Sequence, residues 1–329
     1  MNITQDLPTV APSHTSSRQR FASDVINGLS GQQKSLPCVW LYDHAGSALF
    51  EQITALPEYY PTRTETRMLA EMLPDIRHLT RQPALIIEPG SGSGRKTRLL
   101  LSTWRAPLAY VPVDVSEAFM LEATRALTVD YPEVKILPVV GDFTHGLNVP
   151  HLDAPYDTAL RIAFFPGSSI GNFMPDDAIA LMANWRRTLG RHAKLLIGVD
   201  TTQAADRLVP AYDDAAGVTA RFNLNLLARI NRELGGTFQP EHFRHVAHWD
   251  EHHSRIEMRL VSTRQQWVRV LDQQFEFGAG EYIHTENAYK YTAERFLNLA
   301  EQGGWDESER WTDRAGTGFT LFLLRASQL

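Results

Sequence analysis

The stretch that decides the fold runs ALIIEPGSGSGRKTRLLL from Ala84 to Leu101. Its apolar start predicts a buried strand, its three alternating glycines predict a tight turn, and the run from Arg95 predicts a helix. Glycines directly after a buried strand let a ligand approach the backbone closely, and the following helix offers free N–H groups. The stretch therefore predicts a strand, turn and helix that hold a nucleoside cofactor.

Further apolar strands follow this unit, and helices separate them. The helix after the second strand begins near Ser116, and the helix before the last one runs from Asp176 to Trp185. Strands separated by helices require crossover connections, which build a parallel sheet with helices on both faces. We therefore predict an α/β, doubly wound, mostly parallel Rossmann-like sheet. Its further strands are expected at 110–113, 134–140, 160–165 and 194–199.

Two other regions do not show this alternation of strands and helices. Residues 311–313 and 318–325 predict a C-terminal antiparallel hairpin at the edge of the sheet. Between Thr201 and Glu286, an amphipathic helix at 222–234 and alternating strands such as 256–262 predict an inserted α+β domain. The expected division is a flexible arm at 1–20, a discontinuous substrate-binding domain at 21–62 and 200–288, and a cofactor-binding domain at 63–199 and 289–329.

The composition limits the class of partner. The chain has 329 residues, 43% of them hydrophobic, and a formal charge of −6, which disfavours binding to a nucleic-acid backbone. No uncharged apolar stretch approaches the roughly 20 residues that span a bilayer. Cys38 is the single cysteine, so neither an internal disulfide nor a cysteine zinc cluster is possible. We expect a cytoplasmic monomer that acts on a small molecule.

The spacing of the glycines in this loop limits the class of cofactor that it can bind. The pattern is Gly-x-Gly-x-Gly, and Arg95 stands where the dinucleotide fingerprint requires its last glycine, which disfavours NAD. Asp114 ends the second strand, where an acidic side chain accepts hydrogen bonds from ribose hydroxyls in such folds. Asp142 and Phe143 follow the third strand, where they would bond and cover an adenine. For Asp142 alone, a cap of the following turn explains the position equally well.

Several longer phrases resemble the histidine-specific Nα-methyltransferase family of ergothioneine biosynthesis. The likeness extends roughly from residue 37 to the C-terminus. The phrases are Leu41-Tyr-Asp-His-Ala-Gly-Ser-Ala-Leu-Phe50, Leu56-Pro-Glu-Tyr-Tyr-Pro-Thr-Arg63, Gly167-Ser-Ser-Ile-Gly-Asn-Phe173, Ala211-Tyr-Asp-Asp-Ala-Ala-Gly-Val-Thr219 and His284-Thr-Glu286. The resemblance implies a Rossmann-type methyltransferase domain, a second substrate domain, and S-adenosyl-L-methionine as the cofactor. It also implies that the cofactor is bound by Gly90, Gly92, Lys96, Asp114, Asp142 and Phe143.

The same resemblance implies a set of substrate contacts. It places Tyr59, Asn172 and Tyr212 at the α-amino and α-carboxylate groups of an amino acid, and Met258 and Glu286 at its side chain. Phenols and an amide can bind a carboxylate, aromatic faces attract ammonium groups, and a glutamate can accept a bond from an imidazole. Without the resemblance, the same residues would be read as packing tyrosines, a turn former, a core methionine and a surface charge.

Tyr42 is expected nearby as a helper in removing a proton from the substrate amine. One position departs from the family pattern. Members that recognise histidine usually carry a serine two positions after the glutamate, whereas this chain has Ala288 with Asn287 between. Two substrates therefore stay open: histidine, giving its Nα-trimethyl betaine (hercynine) with Asn287 or a water replacing the serine, or another, aromatic amino acid.

Three rival interpretations come from other motifs. Gly167-Ser-Ser169-Ile-Gly171 matches the nucleophile elbow of a serine hydrolase, although Asn172-Phe-Met-Pro175 delays the helix that should follow directly. A non-catalytic sensor would keep the cofactor loop and lose the substrate residues. A metal enzyme is suggested by a histidine-rich stretch, but no His-Glu-x-x-His pattern is present and we expect no metal site. The histidines are His242, His245, His248, His252 and His253.

Overall fold

The computed structural model describes residues 14–147 and 149–328. The helices are α1 (His14–Ser30), α2 (His44–Thr54), α3 (Tyr60–Met72), α4 (Thr97–Thr103), α5 (Glu117–Asp130), α6 (Pro175–Leu189), α7 (Ala205–Tyr212), α8 (Val218–Leu234) and α9 (Ala293–Gln302). Short 3-10 helices occur at Cys38–Leu41, Asp75–Arg81, Phe143–His145, Ser169–Asn172 and Pro240–His242. Of the helices in these ranges, none has both the length and the apolar character that crossing a membrane requires.

The strands form one large sheet and two small ones. They are β1 (Ala84–Pro89), β2 (Leu108–Asp114), β3 (Lys135–Ile136), β4 (Val139–Val140), β5 (Leu160–Phe165), β6 (Lys194–Asp200), β7 (Phe243–Asp250), β8 (Arg255–Ser262), β9 (Gln266–Val270), β10 (Gln273–Phe277), β11 (Tyr282–Tyr289), β12 (Trp305–Thr312) and β13 (Phe319–Ala326). The large sheet has the order β12-β13-β6-β5-β1-β2-β3, and β4 also pairs with β2.

Strand β1 lies inside the large sheet, and all six of its residues are buried. Strands β1 to β6 pair in parallel, whereas β13 runs antiparallel to both β6 and β12. The prediction of a doubly wound, mostly parallel sheet with a C-terminal antiparallel hairpin is confirmed. Strand β1 has β2 on one side and β5 on the other. The loops that follow these three strands therefore border one crevice at the same edge of the sheet.

Two of the predicted strands differ clearly from those of the structure. The single strand predicted at 134–140 is two short strands, β3 and β4, because Pro138 has no N–H to donate and interrupts the ladder after Leu137. The first strand of the C-terminal hairpin begins at Trp305 rather than at residue 311, so the hairpin is longer than expected. Neither difference changes the order of the sheet.

The expected flexible arm is wrong for residues 14–20, which belong to helix α1. Phe21, Val25 and Leu29 follow one another at helical spacing and are all buried, so this helix has an apolar face that packs on the protein. The Arg18 guanidinium also donates to the carbonyl oxygen of Glu233 at 3.0 Å, which fixes the start of α1 against the end of α8. The rest of the predicted arm, residues 1–13, lies outside the described residues.

Helices α1, α2 and α8 pack with strands β7 to β11 around a hydrophobic cluster separate from the two clusters on the large sheet. Its buried members come from Phe21–Tyr60 and from Leu208–Ala288. A separate apolar core is what an independent domain requires. The two-domain division stays a prediction, and this distribution of buried residues supports it. We call the part built from 21–62 and 200–288 the second lobe.

Substitution of Gly198 on β6 tests how tightly the large sheet packs against α3. A β-carbon there would overlap Glu65 Oε1 and lie 3.1 Å from Phe319 Cε1. We expect Gly198→Ala to lower the free energy of unfolding by about 1–3 kcal/mol in urea denaturation. The matched control is Gly278→Ala, whose new carbon would have Glu281 Oε2 as its nearest neighbour at 3.8 Å. Equal stability of the two variants would contradict the expected overlap.

Candidate active site

The loop between β1 and α4 turns sharply and is tied to the end of β2. Gly90 and Gly92 have φ angles of 68° and 52°, where a side chain would be strained. The Gly90 N–H donates to the Val113 carbonyl oxygen at 2.7 Å, and the Gly92 N–H donates to Asp114 Oδ2 at 3.2 Å. Burial raises the pKa of Asp114, against the hydrogen bonds from the Ser116 and Gly92 N–H groups. The carboxylate thus lies directly beside the loop.

A pocket over this loop suits a polar ligand. Gly90, Gly92 and Lys96 line it together with residues of α2 and of the loop after β5. Ser91 Oγ also lines the pocket, and this buried oxygen has no hydrogen-bond partner among the described residues. An unpartnered buried hydroxyl costs free energy unless a ligand or water bonds to it. The donor and acceptor groups present at the loop therefore fit a nucleoside cofactor.

Asp142 and Phe143 follow β4, and Phe143 borders the glycine loop. A β-carbon on Gly90 would lie 3.5 Å from Phe143 Cε1, so this ring stands next to the turn. Asp142 Oδ1 accepts from the Thr144 N–H at 2.9 Å and thereby caps the following turn. Asp142 Oδ2 accepts from Arg20 Nη1 at 2.5 Å. Burial raises the pKa of Asp142, but the bonds from Thr144 and Arg20 outweigh it and leave the pKa lowered.

Lys96 has an ionic partner that could not be predicted from the sequence. Its ammonium group forms an ion pair with Glu65, a fully buried residue of α3. The same Glu65 carboxylate accepts from the Gly167 N–H at 2.7 Å. Glu65 therefore joins the cofactor loop to the loop after β5. No local pattern marks Glu65 in the sequence, because both partners are distant along the chain.

The predicted substrate residues meet in a second pocket. Tyr59, Asn172, Tyr212, Met258 and Glu286 all line it, although they come from five separate segments. The rings of Tyr59 and Tyr212 meet edge to face with centroids 6.1 Å apart. Met258 on β8 and Glu286 on β11 are partners in the strand register. The structure thus gathers one amide, two phenols, one thioether and one carboxylic acid around a single buried space.

Two polar side chains of this pocket are buried. Glu286 Oε2 has no hydrogen-bond partner among the described residues, whereas the Thr219 side chain interacts with Asp214 and helps to lower the pKa of that carboxyl group. Burial raises the pKa of Glu286 to about 7, while the nearby charge of Lys290 lowers it. Thr219 was not singled out by the sequence analysis, since a threonine near the start of a helix carries no distinctive signal. Glu286 Oε2 is therefore available to a polar ligand.

The two pockets share a wall. Phe50, Tyr59, Gly167 and Ser169 line both the cofactor-loop pocket and the second pocket. The two pockets therefore adjoin at these four residues. Transfer of a small group between two bound molecules requires the reacting atoms to lie about 3–3.5 Å apart, and adjoining pockets can bring them that close.

Tyr42 lies behind the second pocket rather than in its lining. Its ring contacts Phe50 and Phe222, with centroids 5.6 and 5.4 Å away, and both of these residues do line the pocket. Burial raises the pKa of Tyr42 well above its ordinary value, with the charge of Glu286 adding to the effect. Tyr42 is consequently a neutral phenol, and its role as a proton helper stays a prediction.

Ala288 and Asn287 do not provide the hydrogen bond that a serine would. Ala288 is buried on β11 two residues beyond Glu286, so both side chains project from the same face of the strand. Asn287 points to the other face, where its Oδ1 lies 2.9 Å from His284 Nε2. The hypothesis that Asn287 replaces the serine is therefore not supported by its position.

The geometry supports neither a serine hydrolase nor a metal enzyme. The Ser169 hydroxyl donates to the Pro166 carbonyl oxygen at 3.1 Å, and the left-handed residue of this turn is Ser168 rather than the supposed nucleophile. The histidine-rich stretch is a strand and a turn instead of a helical face, and His245 lies in the core between Asn223 and Tyr212. Within 14–147 and 149–328, no cluster of three or more potential metal ligands occurs.

The fold and the site together define a class. The large sheet is mostly parallel, its first strand ends in a glycine loop, and an acid ends its second strand. With a buried pocket beside the loop, these features are typical of an enzyme that uses a nucleoside cofactor. The chain belongs to the family described as "Histidine-specific methyltransferase, SAM-dependent", whose model matches residues 21–326. It is an S-adenosylmethionine-dependent methyltransferase.

Curated relatives agree with this assignment. The chain is 41% identical to "Histidine N-alpha-methyltransferase" of Mycolicibacterium smegmatis, over 92% of this chain and 94% of that one. It is 40% identical to the protein of the same name from Mycobacterium tuberculosis, over 89% and 91% of the two chains. It is also 32% identical to "Ergothioneine biosynthesis protein 1" of Neurospora crassa, over 90% of this chain and 34% of that much longer one.

Asp114→Asn tests the cofactor site. If Asp114 binds the ribose hydroxyls, the neutral amide should raise the Kd for S-adenosylmethionine about 10- to 100-fold, because a hydrogen bond to a charged group contributes roughly 1.5–3 kcal/mol. Isothermal titration calorimetry measures the change. Asp177→Asn, at an exposed position of α6, is the control and should bind as the wild type does. Unchanged affinity in Asp114→Asn would exclude this role.

Glu286→Gln tests the buried acid by its effect on stability. Burial raises the pKa of Glu286 from 4.5 to about 7, so the folded protein keeps a proton that the unfolded chain has already released in this range. Wild-type stability is therefore lost as pH rises through that window, and the variant should escape this loss. In urea denaturation, we expect its relative stability to improve by at most about 3 kcal/mol from about pH 5 to pH 8. A pH-independent difference would contradict the shift.

Proposed function

We propose that this enzyme methylates the α-amino group of free histidine and carries the reaction to the Nα-trimethyl betaine. The observation that supports the proposal is the set of residues that line both pockets, since an amine bound in the second pocket would lie next to a methyl donor bound at the glycine loop. The names of the mycobacterial relatives support histidine as the substrate.

The second pocket has a suitable partner for each part of histidine. Asn172, Tyr59 and Tyr212 supply neutral hydrogen-bonding groups for the α-amino and α-carboxylate ends. Glu286 Oε2, which lacks a partner, would accept the hydrogen of one imidazole nitrogen. Thr219 also lines the pocket, and its hydroxyl would replace the missing serine at Ala288 by turning from Asp214 toward the ring. Hydrogen bonds of the ring with Glu286 and Thr219 would favour histidine over an amino acid with an apolar aromatic ring.

The side chains of the enzyme act mainly by positioning. S-adenosylmethionine, when bound, supplies an electrophilic methyl group. Asn172 and the two tyrosines would hold the amine nitrogen so that its lone pair faces the methyl group of the donor. The amine would lose its proton to water, with Tyr42 nearby. The rings of Tyr59 and Phe50 would stabilise the growing ammonium group as successive methyl groups are added. We propose that the enzyme does this as a cytoplasmic monomer, without nucleic-acid or membrane partners.

A panel of free amino acids tests the substrate. Each is incubated with the protein and S-adenosylmethionine, and the products are followed by mass spectrometry. We expect histidine to gain three methyl groups. Phenylalanine should react at least about 100-fold more slowly because it leaves Glu286 unpaired, and tyrosine and tryptophan should also react more slowly because their rings are larger than an imidazole. Nα-acetylhistidine is the control that blocks the proposed acceptor, and it should not react.

Each alternative has a distinct outcome in this panel. Faster transfer to another aromatic amino acid would replace histidine as the substrate. Methylation of Nα-acetylhistidine would place the acceptor on the ring instead of the α-nitrogen. Binding of S-adenosylmethionine without transfer to any member of the panel would favour the sensor interpretation.

A further inference from the structure

Lys290 is a buried cation that the sequence analysis did not assign to any role. It follows directly after β11 and is 1% exposed. Its Nζ lies 2.9 Å from Asp200 Oδ2, a fully buried carboxylate at the end of β6. Asp200 Oδ2 also accepts from the Tyr60 hydroxyl at 2.6 Å. A lysine is tolerated in such surroundings only when it is paired, and Asp200 provides the counter-charge.

The second partner of Lys290 belongs to the substrate pocket. Lys290 Nζ donates to the Tyr212 hydroxyl oxygen at 2.9 Å, and it lies 4.8 Å from the centroid of the same ring. Tyr212 also lines the pocket that contains the unpartnered Glu286. The pair of Lys290 and Asp200 thus joins the end of a strand in the large sheet to a pocket residue of the second lobe.

The chemistry of this contact fixes the direction of the Tyr212 hydroxyl. An ammonium group only donates hydrogen bonds, so the phenol oxygen must be the acceptor. Burial raises the pKa of Tyr212 well above its ordinary value, so the phenol keeps its own hydrogen. None of the residues that the structure describes accepts that hydrogen in a hydrogen bond. It is therefore free to point into the pocket, toward an anionic group of a ligand.

We propose that Lys290 is a positioning residue that holds Tyr212 as a hydrogen-bond donor to the α-carboxylate of the substrate. Asp200 neutralises much of the lysine charge, so the effect is directional rather than a general attraction of anions. The inference rests on the proposed function, because an amino acid supplies the carboxylate. It adds that the carboxylate lies at the end of the pocket nearest β6, with the ring at Glu286.

Two variants separate this role from a structural one. Lys290→Met removes the donor but leaves the buried Asp200 carboxylate without its counter-charge, which can unfold the protein. The double variant Lys290→Met/Asp200→Asn removes both charges, and its asparagine can still accept from Tyr60. The Kd for histidine and for histamine, which lacks the carboxylate, is measured by calorimetry with S-adenosylhomocysteine present.

The expected pattern is selective. The double variant should bind histidine about 10- to 100-fold more weakly and bind histamine within about twofold of the wild type, because only the carboxylate contact is lost. Tyr212→Phe should give the same pattern, and adding it to the double variant should cause no further loss of histidine affinity. The Kd for S-adenosylhomocysteine alone should not change.

Several results would overturn the assignment of Lys290. Equal losses for histidine and histamine would indicate a structural role, as would additive losses with Tyr212→Phe. Wild-type affinity for histidine in the double variant would show that Lys290 does not act on the substrate at all. Failure of the wild-type protein to bind histidine would be a different result, since it refutes the proposed substrate before any variant is compared.

Discussion

The buried ion pair between Glu65 and Lys96 determines how the two pockets meet. Glu65 is completely removed from solvent, so its charge must be compensated by Lys96 and by the N–H of Gly167. One partner belongs to the cofactor loop, and the other belongs to the wall that both pockets share. Glu65 thus connects the cofactor loop to the lining of the substrate pocket through a single carboxylate.

The second pocket is arranged for selectivity more than for general affinity. A buried acid such as Glu286 lowers the affinity for any ligand that leaves it unpaired, and it favours a ligand that brings a hydrogen to it. Aromatic side chains around it supply contact surface without charge, which suits an amine that becomes a permanent cation. The same arrangement explains why the loss of a serine at Ala288 need not abolish recognition of an imidazole, since Thr219 borders the same space.

The sequence was sufficient for features that depend on local patterns. The order of strands and helices, the glycine loop and Asp114 follow from hydrophobic periodicity and turn residues, and the family phrases indicated the residues that line the second pocket. Long-range contacts were not accessible in this way. Glu65 and Lys290 find their partners through the packing of distant segments, and nothing local predicts that Arg20 in the supposed arm would reach Asp142.

Under the proposed function, an amine and a methyl donor face each other directly where the two pockets adjoin, beside Tyr59 and Gly167. A crystal structure of the protein with S-adenosylhomocysteine and histidine tests it directly. We expect the cofactor on the glycine loop, its sulfur facing the α-nitrogen of histidine, and the imidazole ring at Glu286. A complex in which a ring nitrogen faces the sulfur, or in which histidine binds outside the second pocket, would contradict the account.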